Sequence, residues 1–201
     1  MTNTKRDVDF LFEIGNLRHV TRVWNQLGGL SVANDTEHIF RVAMIAWLIA
    51  EREGVDTNRV VKMAIIHDSQ EIRTGDINYL HRLYVTRDEE TAMLDQTEGI
   101  AVQDEMRELW REYEERKTLE AKIVKDADML DQDLEIMEMI SHGENSSRFF
   151  YDERGKTIRD KLFTKTAKEF FDTIRSADPD TWHKRKNRFT HGDWKLKEDK
   201  K

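Results

Sequence analysis

The chain has 201 residues, enough for one domain with its own hydrophobic core, and 36% of them are charged while 38% are hydrophobic. It contains no cysteine, which excludes a disulfide scaffold, a zinc ribbon and a cysteine nucleophile and favours a cytoplasmic location. The polar N-terminus carries no signal peptide, and the longest apolar stretch is too short to cross a bilayer, so we expect no membrane partner.

The net charge of −7 is unevenly distributed, because residues 183–201 contain eight Lys or Arg against three Asp or Glu. A short basic run is usually just solvated, and the acidic body argues against a nucleic-acid partner. No repeat or low-complexity linker interrupts the chain before this run. We therefore expect a single domain over residues 1–180, followed by a basic C-terminal tail at 181–201.

The hydrophobic pattern predicts a succession of helices and no convincing strand. A single proline and many straight-chain residues favour this, since such side chains lose little rotamer freedom in a helix. The predicted helices cover residues 7–17, 37–52, 58–67, one or two segments of 87–113, 119–140 and a last segment that carries both Ile158 and Ile174. Asp35 or Thr36 is expected to cap the second helix and Thr57 the third. The predicted fold class is all-α.

Candidate catalytic groups follow the very apolar segment 60–66, where the sequence places His67-Asp68, then Glu71, then Gly75-Asp76. Burying a charged group beside a packed apolar helix costs roughly several kcal/mol unless the group is paired with an opposite charge or binds a cation. The His-Asp pair offers an imidazole nitrogen and a carboxylate oxygen, which suit a divalent first-row metal. Glu71 projects from the same face as His67 if the helix continues, and it could then deprotonate a bound water.

Two further residues, His38 and Asp128, lie beside apolar helix positions. A single histidine in such a place is more often structural, and an Asp in a long helix is more often solvated. The order His, His-Asp, Asp on three separate helices nevertheless gives two imidazoles and two carboxylates, and facing helices of a bundle commonly build metal sites. The set leaves coordination positions for water and substrate.

At this point the sequence resembles the His-Asp (HD) domain superfamily of metal-dependent phosphohydrolases, and more narrowly its 5′-deoxynucleotidase branch. The motifs that carry the resemblance are Thr36-Glu37-His38-Ile39-Phe40-Arg41-Val42-Ala43, His67-Asp68-Ser69-Gln70-Glu71 with Thr74-Gly75-Asp76-Ile77, and Val124-Lys125-Asp126-Ala127-Asp128. The resemblance implies a helical bundle that binds one divalent metal ion. It also implies removal of phosphate from deoxyribonucleoside 5′-monophosphates, with a small-molecule nucleotide as substrate, in a homodimer.

The resemblance also implies a role for individual residues. The metal ligands correspond to His38, His67, Asp68 and Asp128, with Asp126 as a rival for the last. Glu71 and Asp76 correspond to the acidic catalytic residues. In the segment Leu17-Arg18-His19-Val20-Thr21-Arg22-Val23-Trp24, Arg22 is expected to bind the phosphate and Trp24 the sugar, with Arg18 as the competing arginine.

The loop before His38 departs from the family pattern, because the residues just ahead of Glu37 differ and a Ser-Val-Ala run lies upstream at 31–33. The sugar and base preferences are therefore open. Two alternatives remain: a dNTP triphosphohydrolase or other nucleotide phosphohydrolase, and a non-catalytic nucleotide sensor. The identity of the metal, whether Mn, Co, Ni, Fe, Zn or Mg, does not follow from the ligand types.

Overall fold

The computed structural model describes residues 4–23, 25 and 32–184, and in this part the chain consists of helices joined by short loops. The helices are α1 (Thr4–Ile14), α2 (Asp35–Glu53), α3 (Thr57–Ile66), α4 (Glu71–Thr74), α5 (Glu89–Thr97), α6 (Gln103–Glu115), α7 (Leu119–Ser141), α8 (Ser147–Lys161), α9 (Lys165–Ile174) and α10 (Thr181–Lys184). Extended pairing in the described residues is limited to one bridge between Thr21 and Asn34. The prediction of an all-α fold is confirmed.

Helices α2, α3 and α7 form the centre of the bundle, with α2 packed against both of the others. Val42 of α2, Val60 and Met63 of α3, and Leu130 of α7 are completely buried. Burying each such side chain stabilises the fold by about 1.5–3 kcal/mol. Two of the predicted ligands, His38 and Asp128, lie on α2 and α7, and the other two, His67 and Asp68, directly follow α3, so the packed core fixes the ligands relative to one another. None of the described helices is both long enough and apolar enough to cross a membrane.

The N-terminal caps of α2 and α3 differ from the prediction by one residue. Asn34, not Asp35 or Thr36, caps α2 in a capping box with Glu37. Asp56, not Thr57, caps α3 by accepting hydrogen bonds from the backbone N–H groups of Asn58 and Arg59. Asn34 stands three residues before Glu37, the spacing that a capping box requires, and Asp is a better cap than Thr because its carboxylate accepts strongly from the free N–H groups.

The predicted last helix is in fact two helices, α8 and α9, and the chain between them is held by Asp126 of α7. The Asp126 carboxylate accepts hydrogen bonds from the backbone N–H groups of Phe163 and Thr164 and from the Thr164 hydroxyl, each at 2.8 Å. Thr164 then caps α9. A tertiary contact therefore breaks the chain into two helices where the local hydrophobic periodicity predicts one continuous helix.

Candidate metal centre and active-site cleft

His38 lies in the first turn of α2 and is 1% exposed. Its Nδ1 donates a hydrogen bond of 2.5 Å to Asp131 Oδ2 on α7. Its Nε2 is buried and has no hydrogen-bond partner, although it lies 3.4 Å from Asp128 Oδ1 and 3.5 Å from Asp68 Oδ2. A metal ion bound between these groups would give the buried imidazole nitrogen a partner and would balance the charge of the two carboxylates.

His67 follows the last residue of α3 and is completely buried. Its Nδ1 donates to the carbonyl oxygen of Ala64 at 2.8 Å, which leaves Nε2 as the ring nitrogen that faces the cluster. That Nε2 lies 3.2 Å from Asp68 Oδ2 and has no hydrogen-bond partner. The rings of Tyr113 and His67 pack in a T-shaped arrangement, with their centroids 5.4 Å apart.

The ligand atoms of His38, His67 and Asp128 all lie within 4.8 Å of one another, so these three residues could hold a metal ion together. Asp68 Oδ2 adjoins both histidine Nε2 atoms. Burial alone raises the pKa of Asp128, but Lys125, at 2.6 Å, and the two histidines outweigh it and hold that pKa well below its ordinary value. The site thus offers an ionised carboxylate beside two imidazoles, a donor set that fits a divalent first-row metal.

Asp126, the rival for the last ligand, is turned away from this site. Its carboxylate accepts hydrogen bonds from the backbone N–H groups of Phe163 and Thr164, just before α9. The two acids are two positions apart in α7 and therefore cannot face the same way. The geometry brings Asp128 into the cluster and excludes Asp126 from it.

Arg22 is buried beside the cluster and faces three carboxylates. Its Nη1 lies 3.1 Å from Asp76 Oδ2, 3.6 Å from Asp35 Oδ1 and 3.8 Å from Asp68 Oδ2. The backbone N–H of Val23 also donates to Asp76, at 3.2 Å. Burial raises the pKa of Asp35 to about 7, and Arg22 opposes this increase. An arginine that lies beside acids at the wall of a cleft can also bind a phosphate group, because its planar guanidinium fits two phosphate oxygens.

Glu71 does not lie on a continuation of α3, the condition on which the sequence placed it on the face of His67. The helix α3 ends at Ile66, and a turn precedes α4, which begins at Glu71. Its Oε1 accepts a hydrogen bond of 2.8 Å from Arg87, while its buried Oε2 has no hydrogen-bond partner. Burial raises the pKa of Glu71 well above its ordinary value, and the nearby carboxylates of Asp68 and Asp76 add to the effect. A carboxyl group whose pKa is raised in this way can hold a proton and act as a general acid.

These groups meet at a cleft of about 230 Å³. Arg22, Asp68, Glu71, Asp76 and Asp128 all line it. Arg18, the competing arginine, is exposed and hydrogen-bonds to His19, so the structure does not bring it into the cleft. Trp24 lies outside the described residues, and its contact with the sugar stays a prediction.

Several residues of the site were not among the predicted ones, namely Asp35, Arg87, Tyr113, Lys125 and Asp131. Lys125 belongs to a quoted motif, and its position three residues before Asp128 was a signal for an i,i+3 pair. Arg87 lies in a loop sixteen residues after Glu71 in the chain. Nothing in the local pattern distinguished it from other surface arginines.

Two imidazoles and carboxylates that converge inside a helical bundle, at the wall of an open cleft, define an all-α metal-dependent hydrolase. The comparisons with known proteins agree. A family model described as HD domain matches residues 14–170. The chain is 30% identical over 153 residues to the 5′-deoxynucleotidase HDDC2 of Homo sapiens. The aligned region covers 72% of this chain and 74% of the relative.

Solved structures with the same fold include a conserved hypothetical protein from Pyrococcus furiosus, with a TM-score of 0.71 and 28% identity, over 85% of this chain and 99% of the other. The cyanophage S-2L HD phosphohydrolase, bound to dA and one catalytic Zn²⁺, shares the fold at a TM-score of 0.53 and 19% identity, over 83% of this chain and 96% of the other. The chain belongs to the HD-domain family of metal-dependent phosphohydrolases.

Proposed function

We propose that the protein is a 5′-deoxynucleotidase, which releases phosphate from deoxyribonucleoside 5′-monophosphates. The observation that carries the proposal is the pair of buried histidine Nε2 atoms without hydrogen-bond partners, which face Asp68 and Asp128 at the wall of the cleft. The relative of Homo sapiens that is named a 5′-deoxynucleotidase supports the choice of substrate.

We propose His38, His67, Asp68 and Asp128 as the ligands of one divalent metal ion. Bound there, the ion would supply a Lewis acid for the phosphoryl group and would activate the attacking water. The ligand types do not select among Mn, Co, Ni, Fe, Zn and Mg.

The side chains around the ligands divide the remaining work. Arg22, which lines the cleft beside Asp68, binds two oxygens of the phosphate and offsets part of its negative charge. Glu71, whose Oε2 is free of hydrogen bonds, donates a proton to the departing nucleoside 5′-oxygen. Asp76, which Arg22 and the Val23 N–H hold in place, orients the water. Trp24 stays our prediction for the sugar contact.

The test is phosphate release by metal-stripped protein that is resupplied with Mn²⁺, Co²⁺, Mg²⁺ or Zn²⁺. The substrate panel contains deoxyribo- and ribonucleoside monophosphates and dNTPs. The Asp68→Ala variant is compared with Asp104→Ala, which removes an exposed carboxylate of α6. We expect metal-dependent release from the deoxyribonucleoside monophosphates, lost in Asp68→Ala and kept in Asp104→Ala.

Other outcomes of this panel would contradict the proposal. Release of triphosphate from dNTPs would identify a triphosphohydrolase that uses the same metal site. Nucleotide binding without turnover under any metal would identify a sensor. Equal activity of Asp68→Ala and Asp104→Ala would remove the metal assignment itself.

The homodimer is also a proposal, supported by an apolar stripe on α2. Phe40, Met44, Trp47 and Leu48 follow helical spacing, and each is between 42% and 69% exposed. An exposed stripe of large apolar side chains is typical of an interaction surface. Sedimentation of the wild type and of Trp47→Lys tests it: a dimer that becomes a monomer supports the proposal, and a wild-type monomer contradicts it.

We place the catalytic domain at residues 1–180 and the basic tail at 181–201, and the HD-domain match over residues 14–170 fits within this domain. The absence of cysteine supports a cytoplasmic location. Removal of residues 181–201 tests the boundary. We expect phosphate release and the thermal midpoint to stay within error of the full chain.

A further inference from the structure

The two histidines of the metal site are oriented by different kinds of acceptor. His67 Nδ1 donates to the carbonyl of Ala64 within its own turn of chain. His38 Nδ1 donates instead to a carboxylate, that of Asp131, which lies 93 residues away in sequence. The first bond is local and forms wherever α3 ends in this way, whereas the second exists only because α2 packs on α7.

Asp131 is held more firmly than a surface acid. It is 1% exposed, and while its Oδ2 accepts from His38, its Oδ1 accepts from Arg41 Nε. Arg41 in turn donates from Nη1 to both oxygens of Glu138, at 2.9 and 2.8 Å. The chain of contacts runs from the surface to the buried ring, so the Asp131 carboxylate cannot turn without breaking a charged hydrogen bond.

Helical periodicity explains how these groups meet. Arg41 follows His38 by three residues on α2, and Asp131 follows Asp128 by three on α7, so each pair shares one face of its helix. The same face of α7 thus presents Asp128 to His38 Nε2 and Asp131 to His38 Nδ1. One carboxylate lies on the metal side of the ring and the other lies behind it.

We propose that Asp131 is the positioning residue of the metal site: it fixes His38 in the tautomer and orientation that direct Nε2 to the ion and makes that nitrogen a stronger donor. A carboxylate behind a ligating imidazole has both effects, and its loss typically weakens metal binding by about 10–100-fold. Asp131 contacts His38 and Arg41 and is not among the side chains that line the cleft. The inference rests on the metal site of the proposed function and is independent of the substrate.

The main test measures metal affinity. Metal-stripped full-length protein is titrated with Mn²⁺ or Zn²⁺ in competition with a chelating dye, and Asp131→Asn is compared with Asp133→Asn. Asp133 is a matched control, because it is equally buried on α7 but pairs with Arg154 on α8. We expect Asp131→Asn to bind the metal about 10–100-fold more weakly and Asp133→Asn to stay within about threefold of the wild type.

The Asp128→Ala variant separates this inference from the metal site itself. If Asp128→Ala loses the metal while Asp131→Asn binds it as tightly as Asp133→Asn does, the positioning role is wrong and the site stands. If Asp128→Ala also binds the metal normally, the proposed ligand set is wrong. Circular dichroism of each metal-free variant establishes that folded protein is compared.

A second measurement uses the wild type, so it does not depend on the folding of a variant. Long-range ¹H–¹⁵N spectra of the metal-loaded protein report which nitrogen of each histidine carries the proton. For His38 we expect a proton on Nδ1, shifted downfield by the hydrogen bond to Asp131. A proton on Nε2 of His38, or an Nδ1 proton at the position of a solvated imidazole, would overturn the proposal.

Discussion

Arg22 and Asp76 form a buried ion pair of 3.1 Å that joins the segment before α2 to the loop after α4. Each side chain is about 5% exposed. Both side chains also line the cleft, so Arg22 can bind a substrate phosphate there while it holds Asp76. Burial raises the pKa of Asp76, whereas the charge of Arg22 lowers it. The arginine thus has two effects: it stabilises the acids of the cleft, and it supplies the positive charge for an incoming phosphate.

We predict that Arg22→Gln lowers kcat/KM for a deoxyribonucleoside monophosphate by about 100-fold, equivalent to about 3 kcal/mol, since charge-assisted bonds to the phosphate are lost. Arg18→Gln removes an exposed arginine of the same segment and should stay within about twofold of the wild type. Initial rates over a range of substrate concentrations give both values. Loss of activity in Arg18→Gln alone would instead favour the competing arginine.

Asp126 and Asp128 should separate stability from metal binding. Asp126 accepts three hydrogen bonds that begin α9, so Asp126→Ala is expected to lower the free energy of unfolding by about 2–4 kcal/mol without changing metal affinity. Asp128→Ala is expected to lose the metal. Urea unfolding of the metal-free proteins and metal titration check the two effects, and the reverse result would exchange the assignments.

The geometry around Glu71 and Asp76 depends on Gly75, which ends α4 with φ 72° and ψ 152°. This region is accessible almost only to glycine. A Cβ there would meet no atom within 4 Å, so Gly75→Ala introduces backbone strain and no clash. We predict a loss of about 1–3 kcal/mol in unfolding free energy together with reduced turnover.

Gly15→Ala is the control for this prediction. It also places a Cβ in open space, but it has no positive φ. Its unfolding free energy is expected to change by less than about 1 kcal/mol. Thermal or urea unfolding of both variants decides the matter, and an unchanged stability for Gly75→Ala would show that the backbone strain is absorbed elsewhere.

The sequence predicted the helices well where their periodicity is regular. The predicted helix over residues 119–140 corresponds to α7 at Leu119–Ser141. His38, His67 and Asp128 could be selected because polar groups beside apolar helix positions need a reason to be there. The break between α8 and α9 could not be predicted, since it depends on a carboxylate from α7 that lies 37 residues away from Phe163.

The positions of Glu71 and Asp131 show the same limit for the site. The sequence placed Glu71 on the face of His67 only on the condition that the helix continues beyond His67. The chain instead turns at 67–70 and α4 begins at Glu71, and the local pattern does not show this turn. Asp131 is one of several acids along α7, and the pattern of α7 alone does not distinguish them. Its function follows only from the way α2 packs on α7, which sets the rotation of His38.

The carboxylate of Glu112 should make the stability of the fold depend on pH in acid. Glu112 of α6 accepts hydrogen bonds from Arg59 Nε at 2.8 Å and from the Thr118 hydroxyl at 2.6 Å. Partial burial raises the pKa of Glu112, but these partners outweigh it and leave the pKa below the ordinary value of 4.5. Because the folded state then binds protons less readily than the unfolded state, this contribution to stability is present above about pH 4.5 and is lost as the pH falls through the folded pKa.

Glu112→Gln should therefore be less stable than the wild type at neutral pH, and the difference should shrink as the pH falls below about 4.5. Glu108→Gln is the matched control, because Glu108 also accepts from Arg59 but its side chain is 68% exposed. It should have little effect at any pH, since exposed ion pairs contribute about 0–1 kcal/mol. Urea midpoints measured from about pH 3 to pH 7 check both variants, and a difference for Glu112→Gln that grew towards acid pH would mean that the folded carboxyl binds its proton more tightly than the unfolded one.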